Sequence, residues 1–398
     1  MAFPRSCPSK PFQRKSNLTP FLPFARPTID EDMIAAVADT LRSRWLATGP
    51  RAAAFESALS GRFGGRPVRC VTSATAAMEL ALELLEVGPG DEVILPAQSF
   101  FATGNLVERA GATAVFVDVE LRTRNVDMGQ AQAAVTPRTR VFMPTHYNAP
   151  LDPAQLASFR ERHGVRIVED AALAIGSKAA GREVGSTGDL VSFSFHPNKN
   201  MTTIEGGALV VNDAREAAIV EELRFHGIRR LPDGTRDVER AGAKYNFSDV
   251  SARLGLAQLA HLDEWCRARE RLAAHSFACL AGDDLLPPER LPLAPRDNPG
   301  HGWNMFTILL PLEEMGRTRK EFIDAMAREG IGIGISYEAI HLTTLFRAKG
   351  FAEGRLPVSE RIARETVTLP LYPEMREADV ERVCESLGRV LRGKGAPA

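Results

Sequence analysis

Short apolar runs alternate with amphipathic segments through the first 280 residues. Runs such as 93–96, 114–118 and 165–170 predict buried strands, and the alanine- and leucine-rich segments between such runs predict helices. Strands that alternate with helices indicate a mostly parallel sheet covered on both faces. Because ligands bind such sheets beyond the carboxyl ends of the strands, residues at those ends are the first candidates for a functional site.

The pattern divides the chain into three parts. Residues 1–25 are predicted to be an N-terminal tail, 26–280 a large α/β domain, and 281–398 a smaller α+β domain that begins in a proline-rich segment. In the small domain we predict strands at 306–310 and 331–337. Helices are predicted there at 319–329 and 377–391.

The stretch 190–211 predicts a strand, a polar turn and a second strand. Val191, Phe193 and Phe195 alternate with serines, and Pro197 then ends the first strand. Lys199 lies on the turn, between two apolar runs. A lysine in a turn is usually a solvated charge. Burial between core strands disfavours the charged form, however, and an amine with a lowered pKa is the nucleophile of Schiff-base chemistry.

Two further positions fall where an α/β sheet places its ligands. Asp170 directly follows an apolar strand, although a carboxylate that caps the next segment is an equally good interpretation. Ser73 and Thr75 fall at the start of a strongly helical segment. Helix N-termini bind anions such as phosphate, and an ordinary Ser/Thr cap is the alternative.

Composition and charge exclude several classes of protein. The 398-residue chain has a formal net charge of −1, which gives no indication of nucleic-acid binding. Its five cysteines are scattered without C-x-x-C spacing, which argues against a disulfide framework or a zinc site and fits a reducing, cytoplasmic environment. We expect no membrane span, because no apolar run is long enough, and no signal peptide, because the basic N-terminus lacks an apolar core.

Together these residues indicate a pyridoxal 5′-phosphate (PLP) site. PLP needs a lysine for the Schiff base, a carboxylate at the pyridine nitrogen, an anion cradle and an aromatic platform. Lys199, Asp170, the Ser73–Thr75 segment and Phe100 supply these four features, and Ser194 could add a hydroxyl to the phosphate.

Nearly the whole chain resembles the DegT/DnrJ/EryC1/StrS family of PLP-dependent sugar aminotransferases. The resemblance implies an α/β fold of the fold-type-I PLP transferases, with a large PLP-binding domain and a smaller C-terminal domain. The blocks that carry it are Trp45–Pro50, Gly88–Ile94, Glu169–Ala172, Gly188–Asp189, Ser192–Lys199, Glu205–Gly207, Ser248–Asp249, Gly255–Leu259 and Leu369–Pro373.

The resemblance also implies roles for individual residues. Lys199 would form the Schiff base and shuttle the substrate proton, Asp170 would pair with the pyridinium nitrogen, and Phe100 would stack on the ring. The phosphate would be held by Ala74, Thr75 and Ser194. A neighbouring subunit would close the phosphate site through the segment from Lys244 to Asn246, so a homodimer is implied.

The chain departs from the family pattern on the substrate side. Leu173 stands where the family has a glutamine near the cofactor's phenolic oxygen, and Ile175 where a histidine is common. Ala74 replaces the usual glycine of the phosphate turn. The usual His-Tyr-x-Pro reads Ser336-Tyr337-Glu338-Ala339, with His341 kept. We therefore name Tyr337 and His341 as candidate substrate residues. Arg229 or Arg230 could bind the donor carboxylate or nucleotide phosphates, although surface charge is the alternative for each.

These observations favour an aminotransferase that moves an amino group from glutamate or glutamine to a keto-sugar carried on a nucleotide. A sugar dehydratase of the same family is one alternative, but those enzymes have a histidine in place of Lys199. A non-catalytic PLP- or sugar-binding regulatory protein is another, with Leu173 marking lost chemistry. An acceptor without a nucleotide, such as a cyclitol ketone, also stays open.

Overall fold

A computed structural model of the protein describes residues 20–282 and 285–393. Its α-helices are α1 (Glu31–Ser43), α2 (Pro50–Arg62), α3 (Ala74–Leu84), α4 (Ala102–Arg109), α5 (Met128–Ala133), α6 (Pro153–His163), α7 (Ala214–Leu223), α8 (Asp249–Gly282), α9 (Leu312–Met315), α10 (Arg319–Arg328), α11 (Thr344–Arg347), α12 (Pro357–Glu365) and α13 (Glu377–Leu391). Its strands are β1 (Val68–Val71), β2 (Glu92–Pro96), β3 (Thr113–Val117), β4 (Thr139–Phe142), β5 (Arg166–Asp170), β6 (Lys178–Ala179), β7 (Arg182–Glu183), β8 (Leu190–Ser194), β9 (Gly207–Val210), β10 (Ile228–Arg230), β11 (Arg236–Val238), β12 (Phe306–Leu309) and β13 (Thr366–Leu369).

Seven strands form the central sheet, in the order β1-β9-β8-β5-β4-β2-β3. The pairs β3–β2, β2–β4, β4–β5 and β5–β8 are parallel, as the alternating pattern predicted. Strand β9 runs antiparallel to both of its neighbours. It follows β8 through a turn rather than a crossover helix, and a direct return of this kind pairs strands antiparallel. That turn carries Lys199.

The sheet is covered on both faces, and alternate residues of its strands enter different cores. Leu190 and Leu209 pack with the buried face of α3, whereas Val191 and Val210 pack with Phe55 of α2 on the other face. Because α3 starts directly after β1, its N-terminus lies at the edge where the parallel strands end. Asp170 is at that edge too.

The C-terminal residues form a second core around the antiparallel pair β12–β13 and helices α10 and α13. Helix α8 joins the two cores, because Leu262 packs under the large sheet and Leu272 packs in the C-terminal core. Of the predicted tail, residues 1–19 lie outside the described residues. Leu22 packs in the C-terminal core, and its N–H donates to the Gly330 carbonyl at 2.9 Å.

One predicted strand is wrong. Residues 331–337 make only isolated bridges, Leu22 with Ile331 and Gly334 with Thr368, and β13 occupies the position beside β12. Glycines at 332 and 334 weaken a strand because they pack no side chain, which is the physical reason for the error. Residues 231–235 form the tip of the β10–β11 hairpin. Across residues 20–282 and 285–393, no helix has the length and apolar character needed to span a bilayer.

Candidate active site

A cavity of about 350 Å³ opens at the carboxyl ends of β5 and β8, beside the N-terminus of α3. It brings together residues that are far apart in the chain and that the sequence predicted for one site. Among the residues that line it are Ser73, Ala74, Thr75, Ser99, Phe100, Thr145, Asp170, Leu173, Ser194, Lys199 and Tyr337.

Lys199 lies in the turn between β8 and β9, where its backbone N–H donates to the His196 carbonyl at 2.9 Å. The next residue, Asn200, is buried and fixes the turn by donating from Nδ2 to the Gly302 carbonyl at 2.7 Å. Burial lowers the pKa of Lys199 to about 8, and the nearby Asp170 carboxylate opposes that shift. The neutral, nucleophilic form of this amine is therefore far more populated near neutral pH than that of an ordinary lysine.

Asp170 is the last residue of β5 and is 3% exposed. Burial raises the pKa of its carboxyl, while the Ala172 N–H, the Lys199 charge and the Ser99 hydroxyl act in the opposite direction. The Ala172 N–H donates to Oδ1 at 3.0 Å. The chain thus places a buried carboxylate and a lysine of lowered pKa in one cavity, an arrangement typical of a catalytic site.

The N-terminus of α3 forms a cradle for an anion. Ser73 is its N-cap and accepts the Ala76 N–H at 3.0 Å. The backbone N–H groups of Ala74 and Thr75 have no acceptor among the described residues, as expected for the first turn of a helix. Gly207 lets β9 pass closely behind this turn, since a Cβ there would lie 2.4 Å from the Ala74 nitrogen. These donors fit a phosphate group.

An aromatic wall closes another side of the cavity. The Phe100 ring meets the Tyr337 ring edge-on, with centroids 5.6 Å apart, and Phe100 remains 53% exposed. Gln98 holds the Tyr337 segment by donating from Nε2 to the Tyr337 carbonyl at 2.9 Å. An exposed ring face in an otherwise buried pocket suits a flat heteroaromatic ligand.

Three departures from the family pattern have structural counterparts. Leu173 lines the cavity with an apolar side chain that is 4% exposed, so it offers no hydrogen bond there. The Ser336 hydroxyl bonds instead with Thr368 Oγ1 at 2.8 Å, and Tyr337 alone of this pair lines the cavity. Ile175 packs in the core below α2.

His341 does not reach this cavity, in contrast to its prediction as a substrate residue. Its ring is fully buried, and Nε2 lies 3.2 Å from Glu360 Oε1. That glutamate also accepts the backbone N–H groups of Gly354 and Leu356, so the pair orders a loop of the C-terminal part. A sequence motif could not reveal this pairing, because Glu360 lies 19 residues further along the chain.

Lys244, Asn246 and Arg229 line a second cavity, of about 660 Å³, rather than the one that contains Lys199. Lys244 hydrogen-bonds with Asn246 and lies over the Phe225 ring, 4.5 Å from its centroid. Arg229 pairs with Glu239. Within one chain, the structure therefore does not bring these three residues to the Lys199 cavity.

Ser99 and Thr145 were missed by the sequence analysis, although both line the Lys199 cavity. Ser99 follows β2 and Thr145 follows β4, so each lies just beyond the carboxyl end of a parallel strand. Ligands bind beyond the carboxyl ends of parallel strands, and this rule, which pointed to Asp170, applies equally to Ser99 and Thr145. Neither residue sits in a recognisable turn or cap, so no other local signal marks its hydroxyl.

The residues present fit PLP: an amine, a buried carboxylate, unpaired N–H donors at a helix start and an open aromatic face share one cavity. This fold and this residue set define a PLP-dependent transaminase of fold type I. The family model described as the DegT/DnrJ/EryC1/StrS aminotransferase family matches residues 27–388. The chain belongs to that family.

Solved structures support the same assignment. Spr1654 from Streptococcus pneumoniae, assigned as a sugar aminotransferase and solved in a PMP form, is 30% identical with a TM-score of 0.85. The match covers 94% of this chain and 98% of that one. DesV from S. venezuelae, solved with a ketimine intermediate, is 32% identical with a TM-score of 0.84 and coverages of 94% and 99%. DesI, solved in the presence of its TDP-sugar product, is 29% identical with a TM-score of 0.83 and coverages of 94% and 94%.

The predicted family, fold class, enzyme class and cofactor are thereby confirmed. The protein is a PLP-dependent sugar aminotransferase.

Proposed function

We propose that this enzyme transfers the amino group of L-glutamate or glutamine to a keto-sugar carried on a nucleotide, with Lys199 as the residue that bonds the cofactor. The observation that carries the proposal is the presence of Lys199, its pKa lowered to about 8, in one cavity with the buried carboxylate of Asp170. A neutral amine is required both to form a covalent bond with an aldehyde and to accept a proton.

PLP, when bound, supplies an aldehyde that condenses with amines and a ring that withdraws electrons. The residues of this chain have separate tasks. Lys199 Nζ holds and moves the proton at the substrate carbon. Asp170 would hold the ring nitrogen in its protonated form, and Phe100 would orient the ring. The N–H groups of Ala74 and Thr75, with the Ser194 hydroxyl, bind the phosphate.

A homodimer is part of the proposal. The second cavity carries Lys244, which would close the cofactor phosphate site of a partner subunit, and Arg229 and Arg230, which suit the donor carboxylate or the phosphates of a nucleotide. Phe225, which lines this cavity, is 40% exposed, and Trp45, two residues before the lining residue Ala47, is 59% exposed; a partner subunit on this face would cover both rings. A partner subunit that covered this face would bring its own Lys199 cavity next to these cations.

The spectrum of the purified protein tests the reaction. With PLP, the protein is expected to be yellow, and adding glutamate should bleach the visible band by converting the cofactor to its amine form. Lys199→Ala should lose both the band and turnover. Lys178→Ala is a matched control, because Lys178 is exposed on β6 and lies 3.9 Å from Glu183, outside the cavity. A visible band indifferent to every amino donor would contradict the proposal.

Acceptor and subunit arrangement need separate measurements. We expect glutamate-dependent amination of keto-sugar nucleotides to exceed that of the free keto-sugar or a cyclitol ketone. Equal rates would overturn the assignment of a nucleotide-linked acceptor.

Mixing inactive Lys199→Ala chains with inactive Lys244→Ala chains should restore activity, because a hybrid dimer contains one site with both residues intact. Failure of hybrids to recover activity would argue against a shared site.

A further inference from the structure

Three neighbouring strands each deliver one polar side chain to the point where Asp170 faces the cavity. Asp170 ends β5, Thr145 follows β4 and Ser99 follows β2, in the order in which these strands lie in the sheet. Ser99 is 1% exposed and Thr145 is 3% exposed. Their side-chain oxygens, Oγ and Oγ1, are 3.1 Å apart.

The hydrogen bond between Ser99 and Thr145 can run in either direction. An ionised carboxylate only accepts hydrogen bonds, and the Ser99 hydroxyl acts on Asp170 to lower the pKa of that carboxyl. A serine hydroxyl has a single proton. When that proton points at Asp170, Ser99 Oγ accepts from Thr145 Oγ1.

The backbone keeps the three side chains together. The His146 N–H donates to the Asp170 carbonyl at 3.0 Å, and the Asp170 N–H donates to the Pro144 carbonyl at 2.9 Å. Thr145 lies between these two bonds, and it forms a parallel bridge with Asp170. The backbone of Thr145 is thus held at a fixed position beside that of Asp170.

The charged and titratable groups around Asp170 come from several elements. Lys199 faces it from the β8–β9 turn and Tyr337 from the C-terminal part. His146 lies beside it, but its ring is engaged elsewhere: Nδ1 accepts the Leu151 N–H at 3.0 Å, and Nε2 lies 2.8 Å from Glu169 Oε2. Ser99 and Thr145 are neutral, so either hydroxyl can be removed without a change in these charges.

We propose that Ser99 and Thr145 are positioning residues for Asp170, forming a chain of two hydroxyls that holds its carboxylate ionised and oriented towards the cofactor's ring nitrogen. This inference rests on the proposed role of Asp170. The chemistry of the reaction stays with Lys199 and the cofactor. The hydroxyls act only through the carboxylate.

Holoenzyme variants test the inference. Ser99→Ala is expected to slow the half-reaction with glutamate roughly tenfold, the typical effect of one lost hydrogen bond to a charged group. Without the Ser99 donor, the acid limb of the plot of rate against pH should move to higher pH by about one unit. The acid transition in the cofactor's absorption spectrum should move by the same amount. Thr145→Val, which replaces the hydroxyl by a methyl group, should shift both in the same direction by less. Thr145→Ser should behave like wild type.

Unfolding temperature and PLP affinity serve as controls for folding. The inference is overturned if Ser99→Ala leaves the acid limb and the spectral transition unmoved, or if Thr145→Ser shifts them as Thr145→Val does. Asp170→Asn distinguishes the role of the carboxylate from the role of the two hydroxyls. If Asp170→Asn retains activity, the proposed role of Asp170 itself fails. If it is inactive while Ser99→Ala matches wild type, only the role of the hydroxyls fails.

Discussion

Replacing Gly207 by alanine tests the phosphate cradle at its closest contact. Gly207 is the first residue of β9, paired with Val71 on one side and Ser194 on the other. An added Cβ would lie 2.3 Å from the Ser73 carbonyl carbon and 2.4 Å from the Ala74 nitrogen. Carbon atoms in contact stay about 3.5 Å apart, so strand and helix start would have to separate by roughly 1 Å.

Neither strand β9 nor the start of helix α3 can shift without a loss of folding free energy. Strand β9 is hydrogen-bonded on both edges within the sheet, and α3 is buried along Ala77, Leu80 and Ala81. Overpacking of this kind costs about 1–3 kcal/mol of folding free energy. A 1 Å shift also removes the Ala74 N–H from hydrogen-bond range of a phosphate, which weakens binding by roughly 1.5–3 kcal/mol. We therefore expect PLP affinity to fall about 10- to 100-fold.

The assay is titration of the apoprotein with PLP, together with thermal unfolding in its absence. Gly61→Ala is the matched control, because Gly61 lies in α2 and a Cβ there meets nothing within 4 Å. That control should keep its PLP affinity and gain stability, since alanine favours helix. A Gly207→Ala protein that binds PLP as tightly as wild type would refute the geometry of the cradle.

Three further outcomes are expected. The rate at which the apoprotein condenses with PLP should rise with pH and level off above about 8. Only the neutral form of Lys199 reacts, and burial lowers the pKa of Lys199 to about 8. An inflection near 10 would show an unperturbed lysine. Phe100→Ala should weaken PLP binding, measured by titration, with little change in stability, because the ring is 53% exposed; unchanged affinity would remove it as the ring platform. Arg269→Ala should reduce the free energy of unfolding in urea by about 1–3 kcal/mol, because the buried Leu371 carbonyl loses the hydrogen bond that Arg269 Nη1 donates to it at 2.7 Å. An unchanged unfolding midpoint and slope would contradict this.

Local signals predicted much of the fold and part of the site. The alternating apolar residues predicted strand β8. The apolar run that precedes Asp170 predicted that this residue lies at the end of a strand, and Asp170 is the last residue of β5. Helix α3 was recognised from its composition, and its N-cap Ser73 from the chemistry of capping. Each of these features depends on residues within a few positions of one another, which is why a single sequence reveals them.

The wrong or incomplete predictions involve contacts across the chain. The family motif suggested His341 for the substrate, yet its partner is Glu360. Ser99 and Thr145 are 46 residues apart and meet only because β2 and β4 pair in the sheet. The stretch 331–337 reads as a strand by its isoleucines, but β13 takes the place beside β12.

The α/β class, the lysine on the turn and the carboxylate at a strand end could all be predicted from the residues alone, because periodicity and turn chemistry are local properties. Which side chains share a cavity depends instead on how the chain packs. The packing places Lys199 beside Asp170 and Ser99, and it puts Lys244 and Arg229 in a different cavity of the same chain. The order of strands in a sheet differs from their order in the chain, so these neighbours follow from packing and not from spacing.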